Sequence, residues 1–320
     1  MDSLIASLRG WTPVHVAVDE PRIDWAVLDG PPCAPFFEQD AEIAMRRPFN
    51  EIFARRTAFD VLDAFAGRSG AREPAGFVFH MSRCGSTLVA QMLSRVRSLA
   101  VLSEPQPFDA VLRRHAACPS DVDGAVRALR GLARAFDFGP QRRLVVKLHA
   151  WHVLLLPLLR LVFPDVPCAF VFREPSAVLR SQQRHPGAEV MPGLIPPPLL
   201  GFAGGSTADD PEFRARVIAA FGAAALHHAS DGCTLFLDYD ELPEGVVTRL
   251  APWFGIELAG SDREAIRAVA SASTKRHVVA DLHAKRGVPK THAHERVPDD
   301  VDRGTRQLLE AQYAALRASS

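Results

Sequence analysis

Six consecutive residues, Ser82, Arg83, Cys84, Gly85, Ser86 and Thr87, place three hydroxyls, a guanidinium and a glycine in one short turn. An apolar run, Phe77-Val78-Phe79, precedes them, and a helical pattern with Leu88, Met92 and Leu93 on one face follows. A strand that feeds such a turn and then a helix is suited to hold an anion. The first backbone N–H groups of a helix have no partner inside it, and the helix dipole adds partial positive charge there. Gly85 lets the backbone approach the ligand, and Arg83 offers a fork for an oxyanion. The pattern G-x-x-x-x-G-K-[ST] of nucleoside-triphosphate loops is absent, because Gly76 lies too far upstream and no lysine follows Gly85.

Further polar residues follow other apolar runs. Glu104 follows Leu99–Leu102, in Ser103-Glu104-Pro105-Gln106. Lys147 and His149 end the run 144–149. Arg173 follows Cys168–Phe172, with Ser181 eight positions on. Tyr239-Asp240-Glu241-Leu242 follows Thr234–Leu237. A strand-end arginine can fork onto a phosphate, and a serine eight residues later lies about two helical turns along.

The elements that must position these groups alternate. Strands are expected at 77–79, 99–102, 144–149, 168–172 and 234–237, with helices at 107–117, 122–138, 151–163, 175–184, 212–229, 241–254, 261–270 and 300–317. This rhythm predicts an α/β protein, a three-layer P-loop-type fold with a mostly parallel central sheet flanked by helices. In such sheets ligands bind beyond the carboxyl ends of the strands, and the polar clusters at 82–87, 103–106, 147–149 and 173–181 all lie there. Residues 1–72 lack the rhythm. Short strands at 11–19 and 23–28 and helices at 38–46 and 54–65 are expected, forming an N-terminal extension or cap before an α/β domain at 73–320. The Pro/Gly-rich stretch 186–210 reads as a lid or an ordinary loop.

Composition excludes other classes. Formal charge is balanced at zero over 320 residues, so nothing in it draws the chain to nucleic acid. Five cysteines without C-x-x-C spacing suit a reducing, cytoplasmic setting and give no zinc pattern. The longest apolar run, 151–163, is too short for a membrane span. His283, His292 and His294 with Glu295 lack metalloenzyme spacing and read as a solvated tail; His227-His228 reads as surface. Cys84 sits where a helix N-terminus lowers a thiol pKa, or else is a small residue that fits.

The Ser-Arg-x-Gly-Ser-Thr turn resembles the 5′-phosphosulfate loop of PAPS-dependent sulfotransferases, in the form carrying Arg. The stretch from Arg173 to Ser181 resembles their 3′-phosphate signature. Lys147-Leu148-His149 is similar to their Lys-Thr-His strand end, Tyr239–Leu242 to their Tyr-Glu-Asp-Leu turn, and Lys285-Arg286-Gly287 to the Arg-Lys-Gly that closes on the 3′-phosphate. The resemblance spans about 76–290. It implies transfer of a sulfuryl group from PAPS to a hydroxyl or similar nucleophile of a small-molecule or peptide acceptor. The product is 3′,5′-ADP, and no metal is required. The donor would lie against Ser82, Arg83, Cys84, Gly85, Ser86, Thr87, Arg173, Ser181, Lys285, Arg286 and Gly287. Arg83 and Lys147 would stabilise charge. For the base, members with Arg in the loop point to Glu104, whose burial is expected to raise its pKa into a useful range. Strand position points to His149. A small-molecule kinase or other nucleotide-phosphate enzyme with a degenerate P-loop is the alternative activity, and a non-catalytic nucleotide-binding module a third reading.

Overall fold

The computed structural model describes residues 2–17, 20, 22–68, 72–202, 210–284 and 300–320. Three strands precede the expected rhythm: β1 (Thr12–Ala17), β2 (Arg22–Ala26) and β3 (Arg55–Ala58). They form an antiparallel sheet in that order. Five more follow: β4 (Gly76–His80), β5 (Leu99–Ser103), β6 (Arg143–Lys147), β7 (Cys168–Phe172) and β8 (Thr234–Asp238). They make one sheet, order β5-β6-β4-β7-β8, with every pairing parallel.

Every residue of β4, β5 and β7 is buried. A parallel sheet covered on both faces requires that, and it is why these strands read as continuous apolar runs rather than alternating ones. From β4 the chain crosses to β5 at the edge, comes back to β6 beside β4, and then builds outward on the other side through β7 and β8. The order reverses beside β4, so a crevice opens at its carboxyl end. His80, Ser103, Lys147 and Phe172 are the last residues of their strands at that edge.

The N-terminal sheet rests on the helices Gln106–Ala117 and Val122–Ala135. Trp25 stacks on Phe65 at 5.7 Å, and Phe37 meets Phe136 edge-on at 5.7 Å. The helix expected at 54–65 is half strand. Arg55–Ala58 pairs with β2, and Thr57 accepts a hydrogen bond from the Trp25 indole at 2.9 Å. Only Val61–Ala66 is helical, burying Leu62 and Phe65. Pairing with β2 overrides local helical periodicity. The segment 151–163 also divides, into a 3₁₀ turn at Ala150–Leu155 and a helix Leu156–Val162. Pro157, which lacks an N–H, fits the first turn of that helix. The late helix expected at 261–270 runs from Gly260 to Ala284.

Gly131 is the point where the helix Val122–Ala135 meets the N-terminal part. A Cβ there would lie 2.2 Å from the Leu62 carbonyl oxygen. Gly131→Ala gains about 1 kcal/mol of helix propensity. It meets a backbone atom that cannot move aside, at an overpacking cost of about 1–3 kcal/mol. The net outcome is a lower denaturation midpoint with an unchanged m-value, read by urea unfolding.

Candidate functional site

The turn after β4 is held in an unusual backbone shape. Ser82, Arg83 and Gly85 have φ of 68°, 48° and 88°. A left-handed residue beside a right-handed one, as Gly85 is beside the helix start at Ser86, turns neighbouring N–H groups to one side, a shape that can receive an anion. For Ser82 and Arg83 the left-handed backbone costs of order 1–2 kcal/mol each, so the surroundings must hold it. His80 does part of this: its Nδ1 accepts the Ser82 N–H at 3.1 Å, and its Nε2 donates to the Leu148 carbonyl at 3.0 Å. Burial and the neighbouring Lys147 push the His80 pKa down, so it stays neutral. Gly85 is required twice over, by its positive φ and because a Cβ would lie 2.6 Å from the Tyr239 ring. Cys84 is fully buried and its Sγ donates to the Val171 carbonyl at 3.0 Å. Burial pushes that thiol up to about 11, the opposite of the lowering expected at a helix start. Its side chain is a packing group, and only its backbone belongs to the turn.

The second cluster follows β7. Glu174 caps the helix Pro175–Arg184, accepting the N–H groups of Ser176 and Ala177 at 3.0 and 2.9 Å. That helix brings Ser181 to the turn, where its Oγ accepts from Arg83 Nε at 3.0 Å. Arg173 stacks on the Tyr239 ring, with its guanidinium carbon 4.2 Å from the centroid. One aromatic ring, placed by the end of β8, thus touches both Gly85 and Arg173. Lys285, Arg286 and Gly287 lie outside the described residues.

A third cluster sits at the tips of β5 and β6. Ser103 and Lys147 are in register, and Glu104 continues with φ 54° and its N–H on the Lys147 carbonyl at 2.6 Å. This bend turns the carboxylate onto the ammonium of Lys147, which is only 1% exposed. His80 Nε2 lies 3.5 Å from Glu104 Oε1, and His149 Nδ1 lies 3.2 Å from Oε2. The expectation that burial would raise the Glu104 pKa is corrected here. Burial does push it up, but Lys147, His149 and His80 reverse that and hold the carboxyl well below the usual range. His149 moves the other way. Burial lowers it, yet the hydrogen bond and charge of Glu104 leave its pKa above the ordinary 6.5. Its side chain is 33% exposed, and its backbone N–H donates to His152 Nδ1 at 3.3 Å. His152 is buried, with a pKa pushed down to about 4, and is anchored by Asp109 at 3.0 Å.

Several site residues carried no local signal in the sequence. Gln182, fully buried, donates to Ser82 Oγ at 2.8 Å and to Glu189 at 3.0 Å. Glu189, from the Pro/Gly-rich stretch, also accepts from the Ser82 hydroxyl. The N-terminal part supplies a wall. The Phe36 ring lies 5.6 Å from Lys147 Nζ, and Glu38 stands within electrostatic reach of His149 and Glu104. Gln106 exchanges two hydrogen bonds with the Val16 backbone, at 2.8 and 2.9 Å. His80 alone was legible in principle, as a polar residue ending a buried strand just before the turn. Among the described residues no group of three or more His, Cys, Asp or Glu is disposed to hold a metal ion. Also among them, no helix is long and apolar enough to cross a membrane.

No protein-family model matches the chain, and no curated protein does. Solved structures similar to it include the sulfotransferase domain of the Synechococcus PCC 7002 olefin synthase. That domain is 16% identical, with 77% of this chain and 98% of that one covered, at a TM-score of 0.43. A sulfotransferase of Mycobacterium avium is 14% identical over 89% of this chain and 92% of its own, at 0.45. The sulfotransferase domain from the curacin biosynthetic pathway is 14% identical over 77% and 99%, at 0.44.

Glu189 places a carboxylate against the turn at Ser82, where any incoming anion meets a like charge. Glu189→Gln is therefore expected to tighten binding of sulfate by about tenfold at low salt. Calorimetry at two ionic strengths checks it.

Proposed function

We propose that the chain is a PAPS-dependent sulfotransferase, moving a sulfuryl group to an acceptor hydroxyl with release of 3′,5′-ADP. One observation carries this reading: Arg83 of the first anion-binding segment and Ser181 of the second are hydrogen-bonded at 3.0 Å. An adenylate bearing separate 5′ and 3′ anionic groups needs two such segments converging at one sheet edge. On this reading Arg83, Ser86, Thr87 and the N–H groups of the turn hold the 5′-phosphosulfate. Arg173 and Ser181 hold the 3′-phosphate, together with Lys285, Arg286 and Gly287.

In the reaction a new S–O bond forms to the acceptor oxygen. The bond from sulfur to the bridging oxygen breaks, and its electron pair leaves on the 5′-phosphate. Positioning and charge stabilisation dominate such transfers. Arg83 neutralises the leaving oxygen, and Lys147 lies at the strand tip where the sulfuryl oxygens are handled. The acceptor proton goes to His149. Glu104, whose pKa is held low, is a weak proton acceptor; it serves by gripping His149 Nδ1 and keeping Nε2 available. Against the lowering effect of burial, the carboxylate raises the imidazole pKa, which makes it the stronger proton acceptor of the two groups. Residues 1–72 act as a cap on the acceptor side through Phe36 and Glu38.

The first test is calorimetry without magnesium. The chain binds 3′,5′-ADP in preference to ADP and ATP, and Arg173→Ala with Ser181→Ala removes that preference. A preference for ATP supports the kinase alternative instead. The second test is the pH profile. A base works deprotonated, so kcat/KM falls as pH drops through the His149 pKa, giving an acid limb above pH 6.5. His149→Ala lowers kcat by about 10²–10⁴ without weakening 3′,5′-ADP. Glu104→Gln moves the limb to lower pH and lowers kcat. A flat profile from pH 5 to 8 with His149→Ala still active assigns the proton to another group.

A further inference from the structure

Exposed apolar side chains are concentrated in one part of this surface. Among the described residues ten large ones are exposed, and six of them fall within 36–53: Phe36, Ile43, Met45, Phe49, Ile52 and Phe53, with Ile52 74% exposed. Exposed apolar residues scattered singly are ordinary, but a run of them on adjoining elements marks a binding surface.

The local structure explains why they face outward. The helix Phe37–Met45 buries Phe37, Ala41 and Ala44. Ile43 lies on a different face of this helix, and Phe36, in extended backbone just before its first turn, is also exposed. The helix Pro48–Ile52 is held by a polar clamp rather than by its apolar side chains. Asn50 is buried, accepts the Val27 N–H at 2.9 Å, and donates to the carbonyls of Val27 and Ala44 at 3.0 and 2.8 Å. Phe49, Ile52 and Phe53 are left outside. Phe49 and Phe53 touch at 5.0 Å between centroids, and Phe49 meets Trp11 at 5.9 Å.

One end of this segment reaches the proposed reaction centre. Phe36, at its inner end, lies beside Lys147. From Phe36 to Ile43 is about 10 Å along the helix. Charge at the inner end is also informative. Glu38 and Glu104 both stand near His149, so an acceptor with a negative group next to its hydroxyl meets two carboxylates. The flanking arginines are already engaged: Arg46 with Glu42, Arg47 with Asp29, Arg56 with Asp24, and Arg55 with the Ser7 carbonyl and hydroxyl.

We propose, resting on the sulfotransferase reading, that the acceptor is an uncharged amphiphile. Its hydroxyl reaches His149 while a hydrocarbon chain leaves past Phe36 and lies along Ile43, Phe49 and Phe53. The acceptor class is then a long-chain alcohol rather than a sugar, a hydroxy acid or a peptide.

The test uses straight-chain alcohols from 1-butanol to 1-dodecanol, with 3′,5′-ADP release as the rate. Each added methylene raises kcat/KM by about two- to threefold over the middle of the series. Ile43→Ser and the double variant Ile52→Ser, Phe53→Ser flatten that slope while the affinity for 3′,5′-ADP is retained. 2-Hydroxydodecanoate is a poorer acceptor than 1-dodecanol by at least tenfold, and Glu38→Gln narrows the gap. A second arm needs neither turnover nor donor: 12-bromo-1-dodecanol quenches tryptophan emission in the native chain and much less in Trp11→Phe. Turnover independent of chain length, or no difference in quenching between native chain and Trp11→Phe, overturns the proposal. So does a dimer by sedimentation that the Ile52→Ser, Phe53→Ser variant abolishes, since the face is then covered by a second copy. Failure of 3′,5′-ADP to bind overturns the sulfotransferase reading instead, and the quenching arm still reports on the apolar face.

Discussion

The buried ion pair between Lys147 and Glu104 is the constraint around which this edge of the sheet is arranged. An ammonium that is 1% exposed has lost nearly all its water. Several kcal/mol of desolvation must be offset by an excellent partner or the charge does not persist. Glu104 provides that partner only because its backbone bends to φ 54°, a conformation that a residue with a Cβ avoids. The bend is fixed by the hydrogen bond from Glu104 N–H to the Lys147 carbonyl. The same two residues are therefore tied through both main chain and side chain, and the pairing of β5 with β6 sets their register.

The pair also sets the charge states around it. With its carboxylate fully ionised, Glu104 raises His149 while Lys147 helps keep His80 neutral. Two histidines beside the same carboxylate thus take opposite roles. One is a fixed strut that shapes the turn after β4 through Ser82, and the other is a part-exposed group beside the Glu104 carboxylate. Environments that push neighbouring groups apart in this way are a mark of functional sites.

The five parallel strands were legible because burial on both faces leaves uninterrupted apolar runs such as Phe77–Phe79 and Cys168–Phe172, and the chemistry-bearing residues follow directly at their ends. Arg173 and Ser181 could be placed because one helix carries the second from the first. Other features had no local trace. Thr57 reads as helical until β2 is present to pair with it. Glu104 reads as a carboxyl raised by burial until Lys147, 43 positions away, is brought beside it. Glu189 reaches Ser82 across 107 positions and Phe36 reaches Lys147 from outside the α/β rhythm altogether. Such contacts are set by topology, and a linear pattern does not contain them.

Gln106 lies two residues beyond Glu104 and occupies both the N–H and the carbonyl of Val16 on β1, the outer strand of its sheet. A side-chain amide there imitates the next strand. An outer strand with unpaired backbone groups is a template on which other chains assemble. By filling those groups at Val16, the helix that begins at Gln106 interrupts the ladder that aggregation would extend. The same amide couples the N-terminal sheet to the turn carrying Glu104, so one residue both covers an exposed strand edge and fixes where that sheet sits against the tip of β5.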